Sequence, residues 1–363
     1  MGNISEMRIL CVPTLNSPVV FYRVENFIKY MRKAGHEVAF SYWGPKFQQT
    51  CFWERDLTPE MVSEINELVF RSDVVIFQAV HTRKAMSLIM ALQESYRRPI
   101  LAEYDDDIYS THSGSPAFVN VQPGSDVELW GDEQITKADG LIVSTDYLKK
   151  VYQNKNNKVF TVPNAIDFEI WDNRKERKKR SKKIKIGWEG GAGHQINLRL
   201  MKNVVRRILD EFPNVEFHFL YGGYIPDYLD HKRIIFEDYH KWKSIDKYPQ
   251  ALKNAGFDIA IAPLRDLPFN RAKSNLRYLE YSALKIPTVA SDVEPYKCIK
   301  HQETGFIARE EDEWIECLKS LIKSEELRST MGHNAYKYVM ENFNAEDVSK
   351  KYISTLGRFV ERS

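Results

Sequence analysis

No stretch of this chain reaches the roughly 18 consecutive apolar residues that a membrane-crossing helix needs, so no span is expected. Cysteine is scarce. Cys11, Cys51, Cys298 and Cys317 are scattered and no Cys-x-x-Cys pair occurs, which indicates neither a zinc knuckle nor a disulfide framework. An excess of one charge is also lacking: 52 Lys and Arg stand against 50 Asp and Glu, a net charge of +2, which argues against a dedicated nucleic-acid binder. The opening MGNISEMRILCVP holds an apolar run of only about five residues and its first charge is acidic, unlike a secretory signal. A reducing, cytoplasmic location is the expectation from these absences. Neither a P-loop nor a G-x-G-x-x-G fingerprint is present.

What is there is ordinary globular composition at unusual length. With 43% hydrophobic and 28% charged residues the chain is not a disordered one. At 363 residues it exceeds the roughly 250–300 at which single cores stop growing, which predicts two domains. In the first half, apolar runs 8–13, 36–42, 73–78, 99–104, 140–144 and 158–162 read as strands. Helical patterns at 22–33, 59–70, 83–96 and from 146 lie between them. The composition then breaks at NRKERKKRSKKIK, residues 173–185, where nine Lys/Arg read as a solvated linker, with an anionic membrane surface or nucleic acid as the alternatives. A second alternating series follows: strands at 184–188, 215–221, 258–264, 286–290 and 305–308, and helices around 198–212, 273–284 and 346–360. This spacing predicts an α/β chain of two Rossmann-like, doubly wound parallel-sheet domains facing a cleft. The boundaries expected are 1–172 for the first domain, 173–185 for the linker, 186–345 for the second domain and 346–363 for a last helix. Ligands of such sheets bind beyond the carboxyl ends of the strands.

Several constellations fall at those ends. After the apolar strand ending at Leu264, Lys273-Ser274-Asn275 opens a helix whose unpaired N–H groups and positive dipole end suit a phosphate, and Lys273 and Arg265 add charge. Glu280, seven residues past Lys273, lies two turns along, where a carboxylate can accept ribose hydroxyls. The plainer reading makes all three surface residues. Gly187-Trp-Glu-Gly-Gly-Ala-Gly-His194 follows a strand and precedes a helix, so it is either a glycine turn or a loop that lets backbone approach a ligand. His81 and the run Asp105-Asp106-Asp107 stand past strand ends of the first domain. The carboxylates could hold a divalent metal, orient an acceptor hydroxyl or cap the next segment. Trp43, Phe47, Phe52 and Trp53 form either core under a loop or an aromatic wall for an acceptor.

The segment Ala262–Ser291 resembles the donor site of retaining glycosyltransferases of family 4, which have the GT-B fold. The resemblance is carried by Leu279-Glu280-Tyr281, by Lys285-Ile286-Pro287-Thr288-Val289, by Gly305-Phe306-Ile307 and by Val162-Pro163-Asn164-Ala165-Ile166-Asp167, and it spans nearly the whole chain. Many members carry two glutamates eight positions apart. Glu280 matches the second, and Ala272 stands at the first, as in a subgroup with Lys-Ser following that position.

The resemblance implies a metal-independent retaining glycosyltransferase with no cofactor beyond its nucleotide-sugar substrate, which 186–345 would bind while 1–172 holds the acceptor. Gly190, Gly191, His194, Ser274, Asn275 and Glu280 would bind the donor, His81, Lys273 and Arg265 would serve catalysis, and Asp106 and Asp107 would lie on the acceptor side. The reaction implied is front-face displacement assisted by the leaving phosphate, and the last helix should return to the first domain. The acceptor stays open among a glycan, a lipid-linked glycan, a protein and modified DNA, as does peripheral contact with the inner membrane face. A nucleotide-sugar epimerase and a degenerate, non-catalytic binding subunit are the alternatives.

Overall fold

Among the described residues, twelve short strands build two six-stranded parallel sheets. The computed structural model describes residues 5–13, 18–40, 58–80, 82–114, 118, 121–172, 183–222, 226–238 and 247–360. His81, the aromatic stretch from Trp43 to Trp53 and most of the basic run (173–182) lie outside these residues.

The first sheet contains β1 (Arg8–Val12), β2 (Glu37–Phe40), β3 (Val74–Gln78), β4 (Ile100–Tyr104), β5 (Gly140–Val143) and β6 (Val159–Thr161) in the order β2-β1-β3-β4-β5-β6. The central strands are apolar on both faces because helices cover both, and β3 reads Val-Val-Ile-Phe-Gln with every residue buried. The helices between them start where a hydroxyl can cap them: Thr58, Thr82, Ser125 and Thr145 each accept a backbone N–H of the first turn.

The second sheet contains β7 (Ile184–Gly191), β8 (Val215–Gly222), β9 (Ile234–Asp238), β10 (Ile259–Ala262), β11 (Thr288–Ser291) and β12 (Phe306–Ala308) in the order β12-β11-β10-β7-β8-β9. Edge strand β9 is an addition to the sequence reading; Ile-Ile-Phe-Glu-Asp lacks the alternation that marks a half-buried strand. The helix expected at 273–284 begins later, at Leu276–Ala283; Lys273 is extended, and a short helix at Pro268–Ala272 ahead of it is a second addition.

The two orders reverse direction at corresponding places. In the first sheet the chain builds outward from β1 to β2 and restarts at β3 on the other side of β1. In the second it builds from β7 to β9 and restarts at β10 beside β7. Each reversal opens a crevice past the strands' carboxyl ends. On the second domain that crevice is bounded by the end of β7 and the turn after it, Glu189 to His194, and by the segment after β10, Leu264 to Asn275.

The terminal helix Ala345–Val360 packs into the core of the first sheet, with Val348, Tyr352, Ile353 and Leu356 among Phe27, Met31, Leu101 and Val162. Tyr352 meets Phe27 edge-on, and an isolated parallel bridge between Ile166 and Asn344 ties its start to the chain leaving the first sheet. Among the described residues no helix is long and apolar enough to cross a membrane.

Candidate functional site

Helix Leu276–Ala283 begins at Asn275, whose side chain turns to Cys298 Sγ at 3.3 Å instead of capping the helix. Its first N–H groups therefore have no side-chain partner of the usual kind. Just ahead of it, Lys273 lies over the Phe269 ring at 4.3 Å and donates to Asp106 Oδ1 at 3.2 Å. Ser274 Oγ accepts from Asn164 Nδ2 at 2.8 Å, and the Ala272 carbonyl accepts from Thr145 Oγ1 at 3.2 Å. Asp106, Asn164 and Thr145 all belong to the first domain, so this segment is gripped from across the cleft.

Glu280 is not a solvated helix residue. It is 4% exposed, and Oε1 accepts from the Tyr22 hydroxyl at 2.7 Å while Oε2 accepts from the Tyr248 hydroxyl at 3.1 Å. Burial, and then the nearby Glu189 carboxylate, push its carboxyl up to about 8, against the opposing pull of the two hydroxyls and Arg277.

The glycines expected in a loop lie at the end of β7 itself, which is shaped by Trp188 and Arg277. The Arg277 guanidinium stacks on Trp188 at 5.1 Å and its Nε donates to the Glu189 carbonyl at 2.9 Å. A Cβ on Gly190 would stand 2.6 Å from the Trp188 ring and 2.8 Å from Arg277 Nη2, so no larger residue fits there without a shift. Gly191 is different: a Cβ there would meet nothing within 4 Å. His194 is partly buried, edge-on to Trp188 at 5.9 Å and 3.3 Å from the Asn197 amide. Burial and the charges of Arg277 and Lys273 hold its imidazole well below the usual range, hence neutral at pH 7. Arg265 is exposed past β10; its backbone N–H donates to Asn197 Oδ1 at 3.0 Å, and its charge acts on His112 of the first domain.

On the first-domain side the three aspartates diverge. Asp105 is pushed up to about 8 by burial, by Asp106 and by Glu103. Asp106 faces Lys273. Asp107 closes its own turn, accepting from Tyr109 N at 2.9 Å and Ser110 Oγ at 2.6 Å. Among the described residues no three His, Cys, Asp or Glu side chains converge as metal ligands. Behind these aspartates Arg23 donates to Glu103 Oε1 at 2.6 Å, to the Val162 carbonyl at 2.7 Å and to Asn164 Oδ1 at 2.9 Å. A buried polar chain thus runs from Gln78 through Glu103, Arg23 and Asn164 to Ser274.

The structure therefore brings Lys273, Ser274, Asn275, Glu280, Gly190 and His194 to one crevice, with Asp106 opposite. Tyr22, Arg23, Glu103, Asn164, Glu189, Tyr248 and Arg277 also form the site but were not among the sequence candidates. Glu103 carried a signal, a charge within a buried strand; Tyr22 and Tyr248 carried none.

Residues 185–324 match a family profile described as "Glycosyl transferases group 1". The putative teichuronic acid biosynthesis glycosyltransferase TuaH of Bacillus subtilis (strain 168) is 25% identical over 178 residues, 44% of this chain. The match covers 42% of that relative's own length. Among solved structures, a glycosyltransferase from Rickettsia africae ESF-5 aligns with 99% of this chain and 100% of its own at 14% identity and a TM-score of 0.68. HepE of Anabaena in complex with UDP aligns with 97% of this chain and 100% of its own at 14% identity and a TM-score of 0.63. Sucrose-phosphate synthase of Thermosynechococcus elongatus does so with 98% and 100% at 12% identity and a TM-score of 0.64. At such identities the structural likeness speaks for the fold, and the profile speaks for the second domain. The second domain is thus similar, over residues 185–324, to the glycosyl transferases group 1 family, within a chain that has the GT-B fold.

Proposed function

We propose that the protein is a retaining glycosyltransferase that moves a sugar from a nucleotide donor, of the UDP-sugar class, to an acceptor hydroxyl in glycoconjugate synthesis. The observation that carries this is the crevice of the second domain: Lys273 and Ser274 ahead of an uncapped helix start, and the Glu280 carboxyl on the same helix. The profile match covers these same residues. HepE, of the same fold, was crystallised with UDP and with UDP-glucose, which makes uridine the base to test first.

In this reading the diphosphate lies at the helix start. Negative charge grows on the leaving phosphate as the anomeric C–O bond breaks. Lys273, Arg265 and the helix dipole stabilise that charge. The acceptor oxygen attacks from the face the phosphate leaves, and its proton passes to the leaving phosphate oxygen. Ser274 and Asn275 position the phosphates, Glu280 accepts ribose hydroxyls, and Gly190, Gly191 and His194 line the donor loop. Lys273 leaves Asp106 for the phosphate, and Asp106 turns to the acceptor side, where Asp107, bonded within its own turn, holds the loop in shape; His81 is assigned to the transferred sugar. The domain limits 1–172, 186–345 and 346–363 follow the same reading, with 173–185 as the connection.

Slow hydrolysis of nucleotide sugars without an acceptor tests this. One nucleotide sugar should release free sugar above the uncatalysed rate. Conversion to an epimer would establish the epimerase instead. Failure of the folded protein to bind any nucleotide sugar would favour the non-catalytic subunit, for which Ala272 in place of a carboxylate is the support.

A further inference from the structure

Tyr22 sits on a single π-helical turn, Phe21–Glu25, between β1 and helix Asn26–Lys33. Such turns are uncommon and are frequent at functional sites. On this one Phe21, Tyr22, Arg23 and Val24 are all buried, where a surface helix would expose part of its circumference. Their destinations differ. Val24 enters the core under the first sheet, Arg23 reaches Glu103, and Tyr22 crosses to the second domain. Tyr22 is 2% exposed, and its hydroxyl meets one oxygen of Glu280 while Tyr248, from the second domain itself, meets the other.

We propose that Tyr22 is a positioning residue: its hydroxyl sets the orientation of the Glu280 carboxyl only when the first domain is closed on the second, so that the nucleoside site is complete only in the closed molecule. The inference rests on the donor-site reading above. It assigns to a first-domain side chain a share in nucleotide binding, although Tyr22 need not touch the nucleotide. The Tyr248 bond to the other oxygen lies within the second domain and so does not report closure.

The groups facing the Glu280 carboxyl are Tyr22 from the first domain, Glu189 at the end of β7, Tyr248 from helix Tyr248–Ala255, and Arg277 on its own helix. Both tyrosine hydroxyls favour the ionised carboxylate, and Glu189 opposes it. Removing either hydroxyl therefore moves the titration of Glu280 upward, whereas of the two hydroxyl bonds to Glu280 only that of Tyr22 crosses between the domains.

The test compares wild type, Tyr22→Phe and Tyr248→Phe, all keeping the ring and so the packing. UDP-glucose affinity is measured by calorimetry across pH 6 to 9.5; its phosphates do not titrate there, unlike the terminal phosphate of UDP with a second pKa of about 6. Titration of Asp105 is common to all three proteins. The radius of gyration of each ligand-free protein is measured by small-angle scattering. Tyr22→Phe should bind about tenfold more weakly at pH 7.5, with its affinity–pH midpoint moved upward, and should have a larger radius of gyration. Tyr248→Phe should move the midpoint and leave the radius unchanged. An unchanged midpoint in Tyr22→Phe overturns the proposal, and so does a moved midpoint with an unchanged radius, because closure is then not what Tyr22 reports. If wild type binds no nucleotide sugar while Tyr22→Phe still expands, the donor reading has failed and the positioning role falls with it, leaving only a domain contact.

Discussion

Arg23 and Glu103 meet with neither side chain exposed, an arrangement that water does not screen. Desolvation still raises the Glu103 carboxyl above its ordinary value despite the guanidinium beside it. Removing the cation alone would strand a buried carboxylate among Gln78 and apolar strands. Arg23→Ala should therefore cost about 3–5 kcal/mol in urea unfolding; a loss below about 1 kcal/mol would mean that the pair is not holding the carboxyl edge of the first sheet. Glu280 makes a pH-dependent prediction. Its folded pKa of about 8 lies above the free value of 4.5, so the folded state holds the proton more tightly. The associated stability is present below about pH 4.5 and is lost as pH rises through 8. Glu280→Gln has no such loss. The melting temperature of Glu280→Gln relative to wild type should rise between pH 5 and pH 8.5, and a constant difference would contradict the burial and charge environment described for the carboxyl.

Helix Glu325–Asn342 lies so close to the turn before β11 that a Cβ on Gly332 would stand 2.1 Å from the Lys285 carbonyl oxygen. Backbone cannot yield as a side-chain tip can. Gly332→Ala should cost about 1–3 kcal/mol or more and lower the melting temperature without touching the cleft directly; a neutral result would show the helix free to shift. Elements of this kind differ in how legible they are. Strands β1, β3 and β4 and helix Arg83–Tyr96 are plain in the sequence, because buried parallel strands are continuous apolar runs and Thr82 caps where a helix should start. Strand β9 was not, since an edge strand follows neither pattern. Pro268-Phe-Asn-Arg-Ala reads as loop because five residues carry no apolar stripe, yet it forms a short helix of its own ahead of the one that starts at Leu276. Lys273, Ser274 and Glu280 were legible as candidates from their spacing alone. Their partners were not: Tyr22 and Tyr248 lie 258 and 32 positions from Glu280, and no local pattern encodes such a meeting.

At the scale of the whole molecule, two parallel sheets present their reversal points to one another, and three polar side chains of the segment Lys273–Glu280 are met from the opposite domain. Lys273 faces Asp106, Ser274 faces Asn164 and Glu280 faces Tyr22. In the proposed reaction a nucleotide sugar displaces part of this set and the rest stays to hold the domains closed. Calorimetric titration of UDP-glucose at pH 8.5 in EDTA, with wild type and Glu280→Gln side by side, tests that claim most directly. The account predicts binding without added metal, because Lys273, Arg265 and the helix start supply the positive field. It also predicts an affinity about ten- to a hundredfold weaker in the folded Glu280→Gln protein, the loss expected for charge-assisted hydrogen bonds to ribose. Equal affinity in the two proteins, or no binding by wild type, would contradict it.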